Sequence, residues 1–324
     1  MFSKLPDLFD RNFAVGYFLP IAIFIVSSNS IGNEFDHSSL LFNINAKGQF
    51  DSLIGTTVIA LLSWLGGILL LAINSDILRL MEGYGDLNPF YLIRFIKKHE
   101  KQYYTDLKKR KDELDDEYRN FQQDDREFPE KLDRERDQIY QKLAERFPHQ
   151  DRLILPTSFG NTIRAFEVYS IVMYGIDAIR TWPRLLAVIP EHYRQFLDSA
   201  KSQVDFWANT WFVSIFLLLE YCGFLLYAPV KWNQTWWIPL VIISLIFFAF
   251  YRARIAAANW GILVRSAFDL FLDDLRIKLG FSKPSNIEEE RKMWSQFSQA
   301  ITYSLPRYLP TRYNSHILNK KEES

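Results

Sequence analysis

Phe206–Ala228 reads FWANTWFVSIFLLLEYCGFLLYA, and its reading decides the fold. An apolar stretch of about 17–25 residues can cross a bilayer as one helix. Three further stretches have the same character: Phe13–Ser28, Leu53–Asn74 and Trp236–Tyr251. The four form two close pairs, separated by the largely hydrophilic residues 75–205. The expectation is an all-α integral membrane protein with four transmembrane helices in two hairpins. Residues 1–75 would hold the first hairpin, 76–201 a helical soluble region, 202–258 the second hairpin, and 259–324 further helices and a tail.

Composition agrees with a mixed chain. The mean hydropathy of −0.10 averages apolar spans with a highly charged remainder. The 38 basic and 38 acidic residues cancel, so no global field draws the chain to nucleic acid, and none is expected as a partner. The single cysteine, Cys222, excludes a disulfide within the chain. Trp207, Trp211, Trp232, Trp236, Trp237 and Tyr251 cluster near span ends, where amphipathic rings meet lipid headgroups. Lys4 and Arg11 ahead of the first span, with Ser28-Asn29-Ser30 behind it, also have the layout of a signal peptide; a retained span is the reading taken.

The distribution of basic residues sets the orientation. Lys4, Arg11, Arg79, Arg94, Lys97, Lys98, Arg194, Lys201, Arg252 and Arg254 flank one side. The opposite loops, about 29–52 and 229–235, carry only Lys47 and Lys231. Both termini and the soluble mass are therefore expected in the cytoplasm of a bacterial-type inner (plasma) membrane, with Leu40-Leu41-Phe42 resting on the far surface.

Between the pairs, Leu107, Leu114, Phe121 and Phe128 recur every seven residues. Tyr104, Tyr118, Leu132 and Ile139 follow a second seven-residue grid, interrupted by Lys111 and Asp125. This narrow seam predicts two antiparallel, coiled-coil-like helices over about 97–121 and 129–147, broken at Gln122–Pro129. The stalk is either a solvated surface hairpin or an arm that docks a protein partner or a second copy. Residues 166–179 are apolar for too short a length to span, and predict a buried or, preferably, an interfacial helix. Span four is expected to continue as a helix to Gly280, with Val264, Phe268, Phe271, Leu275 and Leu279 on one face. Ser285 and Glu288 suggest a capping box for a last helix bearing Ile287, Trp294, Phe297 and Ile301 on one face.

Glu220 is the leading site candidate, because a charge deep in a span costs at least about 2–3 kcal/mol on insertion scales. Asn209, Val213, Phe216 and Glu220 share one face by helical spacing. That stripe suits an ion path, a proton site or hydrogen bonds to another helix. Thr56 and Ser63 in span two are further pore candidates, while Gly55, Gly66 and Gly67 suit close helix packing. Pro20 predicts a kink in span one. Gly83-Tyr84-Gly85-Asp86 resembles the end of a potassium-channel filter, but Met81 and Glu82 stand where Thr and Val belong, so a glycine turn is expected. Arg79, Glu82 and Asp86 are expected to form a juxtamembrane ion-pair cluster.

Catalytic signatures are lacking. The five histidines are scattered, no cysteine pair or His-Glu-x-x-His occurs, and there is neither a phosphate loop nor a nucleophile elbow. No enzyme activity, cofactor or metal is expected. Leu155–Asn161 is an idiosyncratic string in which Thr157 or Ser158 would cap a helix. The span order resembles that of bestrophin-type anion channels; the likeness is one of topology, without a shared motif or transferable residue roles. Two functions are expected: a homo-oligomeric channel or pore-forming effector gated by its soluble helices, or a membrane-anchored scaffold presenting the stalk.

Overall fold

A computed structural model describes residues 10–34, 52–83, 90–227 and 235–310. Lys4, the loop containing Leu40-Leu41-Phe42 and Lys47, the filter-like Tyr84-Gly85-Asp86, Lys231, Trp232 and the tail beyond 310 lie outside the described residues. Among the described residues the chain is helical and contains no strand. Four helical stretches are long and apolar enough to cross a membrane: Arg11–Gly32, Gly55–Glu82, Glu191–Leu226 and Trp237–Leu279. Each extends beyond the apolar window that betrays it, because polar residues continue a helix readily once it has left the apolar segment. The chain divides into two compact units, one from 1–93 with 198–260 and one from 94–197 with 261–324.

In the first unit, α1 (Arg11–Phe13) begins on Asp10, whose carboxylate accepts the Arg11 N–H at 2.6 Å. A π-helical segment, Ala14–Phe18, then joins it to α2 (Leu19–Glu34). This is the local answer to Pro20. Proline brings no N–H to the carbonyl four residues earlier, here that of Gly16, and the wider π turn lets the helix pass the ring. α3 (Ser52–Glu82) buries a single row: Ser63, Gly67, Leu70, Asn74, Ile77 and Met81. The steps of three and four make this one helical stripe. Leu61, Leu65 and Leu69 on other faces are exposed, as lipid-facing side chains would be.

α9 (Glu191–Tyr227) and α10 (Trp237–Leu279) each belong to both units along their length. Within the first unit they meet through Trp207 and Phe248 (5.5 Å between ring centres), Trp211 and Phe250 (6.3 Å), and a 3.1 Å hydrogen bond from Tyr221 to the Thr235 carbonyl. Trp236 and Trp237 are exposed. Span four continues as a helix to Leu279, just short of the expected Gly280, and Pro239 lies in the first turn of its 43 residues, where proline is tolerated.

In the second unit, α4 (Phe90–Gln123) and α5 (Glu130–Arg146) lie side by side. Contacts run from Glu100–Arg146 (2.7 Å) through Arg110–Glu135 (2.8 Å) to Tyr118–Phe128 (5.2 Å between rings), so numbers fall on one helix as they rise on the other. Tyr104, Leu114 and Ile139 are buried, whereas Leu107, Phe121, Phe128 and Leu132 are only half-buried. The interrupting Lys111 stays at the seam by pairing with Asp115 at 3.0 Å and covering the Tyr140 ring. Asp125 takes a left-handed turn (φ 53°) between the helices.

The apolar run 166–179 is not one helix. It breaks into α6 (Ser158–Glu167), α7 (Tyr169–Tyr174) and α8 (Ala178–Leu186). Gly175 ends α7 at φ 77°, and a Cβ there would sit 2.8 Å from the Arg291 carbonyl oxygen. Asp177 then caps α8 by accepting the Arg180 N–H. The last helix, α11 (Ile287–Tyr303), is capped one residue later than expected, by Asn286 instead of Ser285. Asn286 accepts the Glu289 N–H at 2.8 Å, and Glu289 reaches back to the Ser285 N–H at 2.9 Å, so Glu289 rather than Glu288 completes the arrangement. Of the expected face, Trp294 and Phe297 are buried, Ile301 is half-buried and Ile287 is exposed; Met293 and Ala300 complete the buried face.

Candidate functional site

The third span carries three buried polar side chains along one face, with the apolar Val213 and Leu217 between them. Asp205, Asn209 and Glu220 are all buried on α9. Fifteen residues separate Asp205 from Glu220, about 22 Å of helix at 1.5 Å per residue. Phe216, expected on this stripe, is 47% exposed, and Leu217 is buried in its place.

Each polar group on this face grips another helix of the same unit. Glu220 accepts a hydrogen bond from the Ser28 hydroxyl of α2 at 2.8 Å. Asn209 donates from Nδ2 to the Gly16 carbonyl at 2.8 Å. That carbonyl is the one Pro20 leaves without its usual helical donor, so Asn209 supplies the hydrogen bond the proline removes. Asp205 accepts from Tyr17 at 2.9 Å, from Asn74 of α3 at 3.0 Å and from Lys201 at 2.5 Å. Gly16 permits this close approach: a Cβ there would lie 3.4 Å from the Asp205 Cβ. Spans one, two and three are thus tied to one carboxylate.

Asp205, Lys201, Tyr17 and Asn74 were not singled out by the sequence. Asp205 precedes the apolar window by one residue, and Tyr17 and Asn74 look unremarkable within theirs. The available signal was the i, i+4 Lys201–Asp205 pair entering a span. Ser63 is fully buried on α3, while Thr56 is exposed and does not join the buried face. Gly66 and Gly67 lie against α1, the π segment and α2. An added Cβ would come 2.8 Å from Ile21 at Gly66 and 3.1 Å from Phe13 at Gly67. A Cβ at Gly55 would meet nothing within 4 Å among the described residues, so the close packing expected of it is not seen there. Arg79 is exposed and Glu82 half-buried; Asp86, their expected third partner, is outside the described residues. Gly83 adopts φ 92° and donates to the Leu80 carbonyl at 3.1 Å, as a glycine turn does.

The idiosyncratic string 155–161 resolves into structure. Thr157 caps α6 by accepting the Gly160 N–H at 3.0 Å. Asn161, fully buried, accepts the Leu155 N–H at 2.6 Å and donates to the Leu155 carbonyl at 3.1 Å and to Glu100 at 3.3 Å. These bonds fix the chain where it leaves the α4–α5 pair. Nearby, burial and a hydrogen bond to Asp151 push the Tyr104 phenol up to about 12. The same bond, with Lys108, holds the Asp151 carboxyl below its ordinary range. Among the described residues no cluster of three or more His, Cys, Asp or Glu could hold a metal. Neither a known protein family, nor a curated protein, nor a solved structure matches the chain.

Proposed function

We propose that the protein is a homo-oligomeric, cation-conducting channel or pore-forming effector of a bacterial-type plasma membrane, gated through its soluble helices. The spans pair as two hairpins, both termini lie on the cytoplasmic side, and the coiled-coil-like α4–α5 pair projects into the cytoplasm. The observation that carries this reading is the buried acidic face of α9, with Asp205 and Glu220 about 22 Å apart and both held by the first span. Buried ionisable groups in membrane helices characteristically mark ion or proton pathways. The length of α10, which leaves the apolar segment as an unbroken helix, gives the soluble unit a handle on the membrane unit. Four spans per chain enclose little volume, so the conducting form is an oligomer. Protein reconstituted in liposomes should pass small cations, with Glu220→Gln changing the rate or selectivity; a verified oligomer without flux would refute the reading.

The α4–α5 pair favours a second reading, a membrane-anchored scaffold. Its ion pairs Arg110–Glu135 and Arg136–Asp115, at 2.8 and 3.3 Å, knit the arm to itself and leave charged outer faces for a partner. Under this reading, deleting residues 97–147 abolishes co-purification of a partner, while Glu220→Gln has no effect on it.

A further inference from the structure

Two buried amides flank Asp205, Asn74 by donating to its carboxylate and Asn209 by lying one helical turn along α9. Asn74 and Asn209 are 8% and 0% exposed, and their Oδ1 atoms find no hydrogen-bond donor among the described residues. Neither amide can be turned to relieve this. The Asn74 atom 3.0 Å from the Asp205 carboxylate must be the nitrogen, and so must the Asn209 atom 2.8 Å from the Gly16 carbonyl. An oxygen in either place would face another acceptor. The two orphaned oxygens are therefore imposed by the fold, and each costs about 1–3 kcal/mol when buried without a donor or cation.

Their chemistry points to one class of ligand. One carboxylate and neutral amide oxygens are hard donors, which suit a cation. A single carboxylate is too little charge for a dedicated calcium site, and magnesium demands a near-ideal octahedron. Lys201 is the built-in competitor. Its ammonium lies 2.5 Å from Asp205, and also 5.8 Å from the Trp260 ring centre. The aromatic face offers the ammonium a second station when it leaves the carboxylate. We propose that Asp205, with the Asn74 and Asn209 side-chain oxygens, forms a binding site for a small alkali cation that competes with Lys201 for the carboxylate. The purpose of the site rests on the cation-path reading above, but its test does not.

The test is thermal unfolding of the purified full-length protein in detergent, in NaCl or LiCl against choline chloride at equal ionic strength. The alkali cations should raise the melting temperature saturably, and choline should not. Asp205→Asn should abolish the dependence. Lys201→Gln should move half-saturation to a concentration about tenfold lower, as removal of ~1.4 kcal/mol of competition requires. Equal melting in sodium and choline would overturn the site and leave a buried water as the occupant. If Asp205→Asn does not fold, Lys201→Gln decides alone, and an unchanged half-saturation overturns the proposal. Cation-dependent melting without liposome flux would keep the site and remove the path; flux without cation-dependent melting would do the reverse.

Discussion

Asn209 is the residue whose role the structure changes most. Its place on the polar face of α9 could be read from helical spacing, but its partner could not. The Gly16 carbonyl is freed by a proline four residues on, in another span 193 positions away. Asn209→Leu keeps the size and removes the donor, leaving a buried carbonyl unsatisfied. It should destabilise the membrane unit by about 1–3 kcal/mol, measured by denaturant unfolding in mixed micelles. An unchanged midpoint would mean that another donor serves Gly16. Glu220 was legible because a carboxylate among leucines stands out in any hydropathy scan. Asp205 was not, because it lies at the edge of the apolar window beside a lysine, where charges are ordinary.

At the scale of elements, the long helices were legible and their joints were not. Hydropathy located the spans, and the seven-residue spacing located α4 and α5, since both patterns repeat over many turns. The break between α7 and α8 depends on one glycine at φ 77° meeting the Arg291 carbonyl from a distant helix, which no local pattern encodes. The cap of α11 slipped by one residue because Ser285 and Asn286 both cap well, and the choice was settled by which acid reached back. The joint after α5 yields a pH prediction. Tyr104 titrates above its unfolded value of 10.0 and Asp151 below its unfolded value of 3.8. The tyrosine contribution is present below pH 10 and lost as pH rises through about 12; the aspartate contribution is present above pH 3.8 and lost as pH falls through the lower folded value. The melting-temperature difference between wild type and Asp151→Asn should therefore be flat between pH 3.8 and 10.0 and shrink on either side. A steady slope across that window would show that other groups dominate the joint.

For the whole molecule, the two pairs of apolar stretches belong to one compact unit, and the charged sequence between them folds with the C-terminal segment into another. Sequence distance hid this, because the partners of Asp205 come from residues 17, 74 and 201. The polar groups of α9 are held by spans one and two of its own chain, so each subunit of the proposed oligomer brings its own buried carboxylates to the path. Buried carboxylates at both ends of such a path should control it together. The most direct measurement is cation flux from liposomes holding a verified oligomer, comparing wild type with Glu220→Gln and Asp205→Asn. Wild-type protein should give flux above that of protein-free vesicles, and each substitution should alter its rate or selectivity. Wild-type flux that both substitutions leave untouched, or no flux at all, would contradict the proposed path.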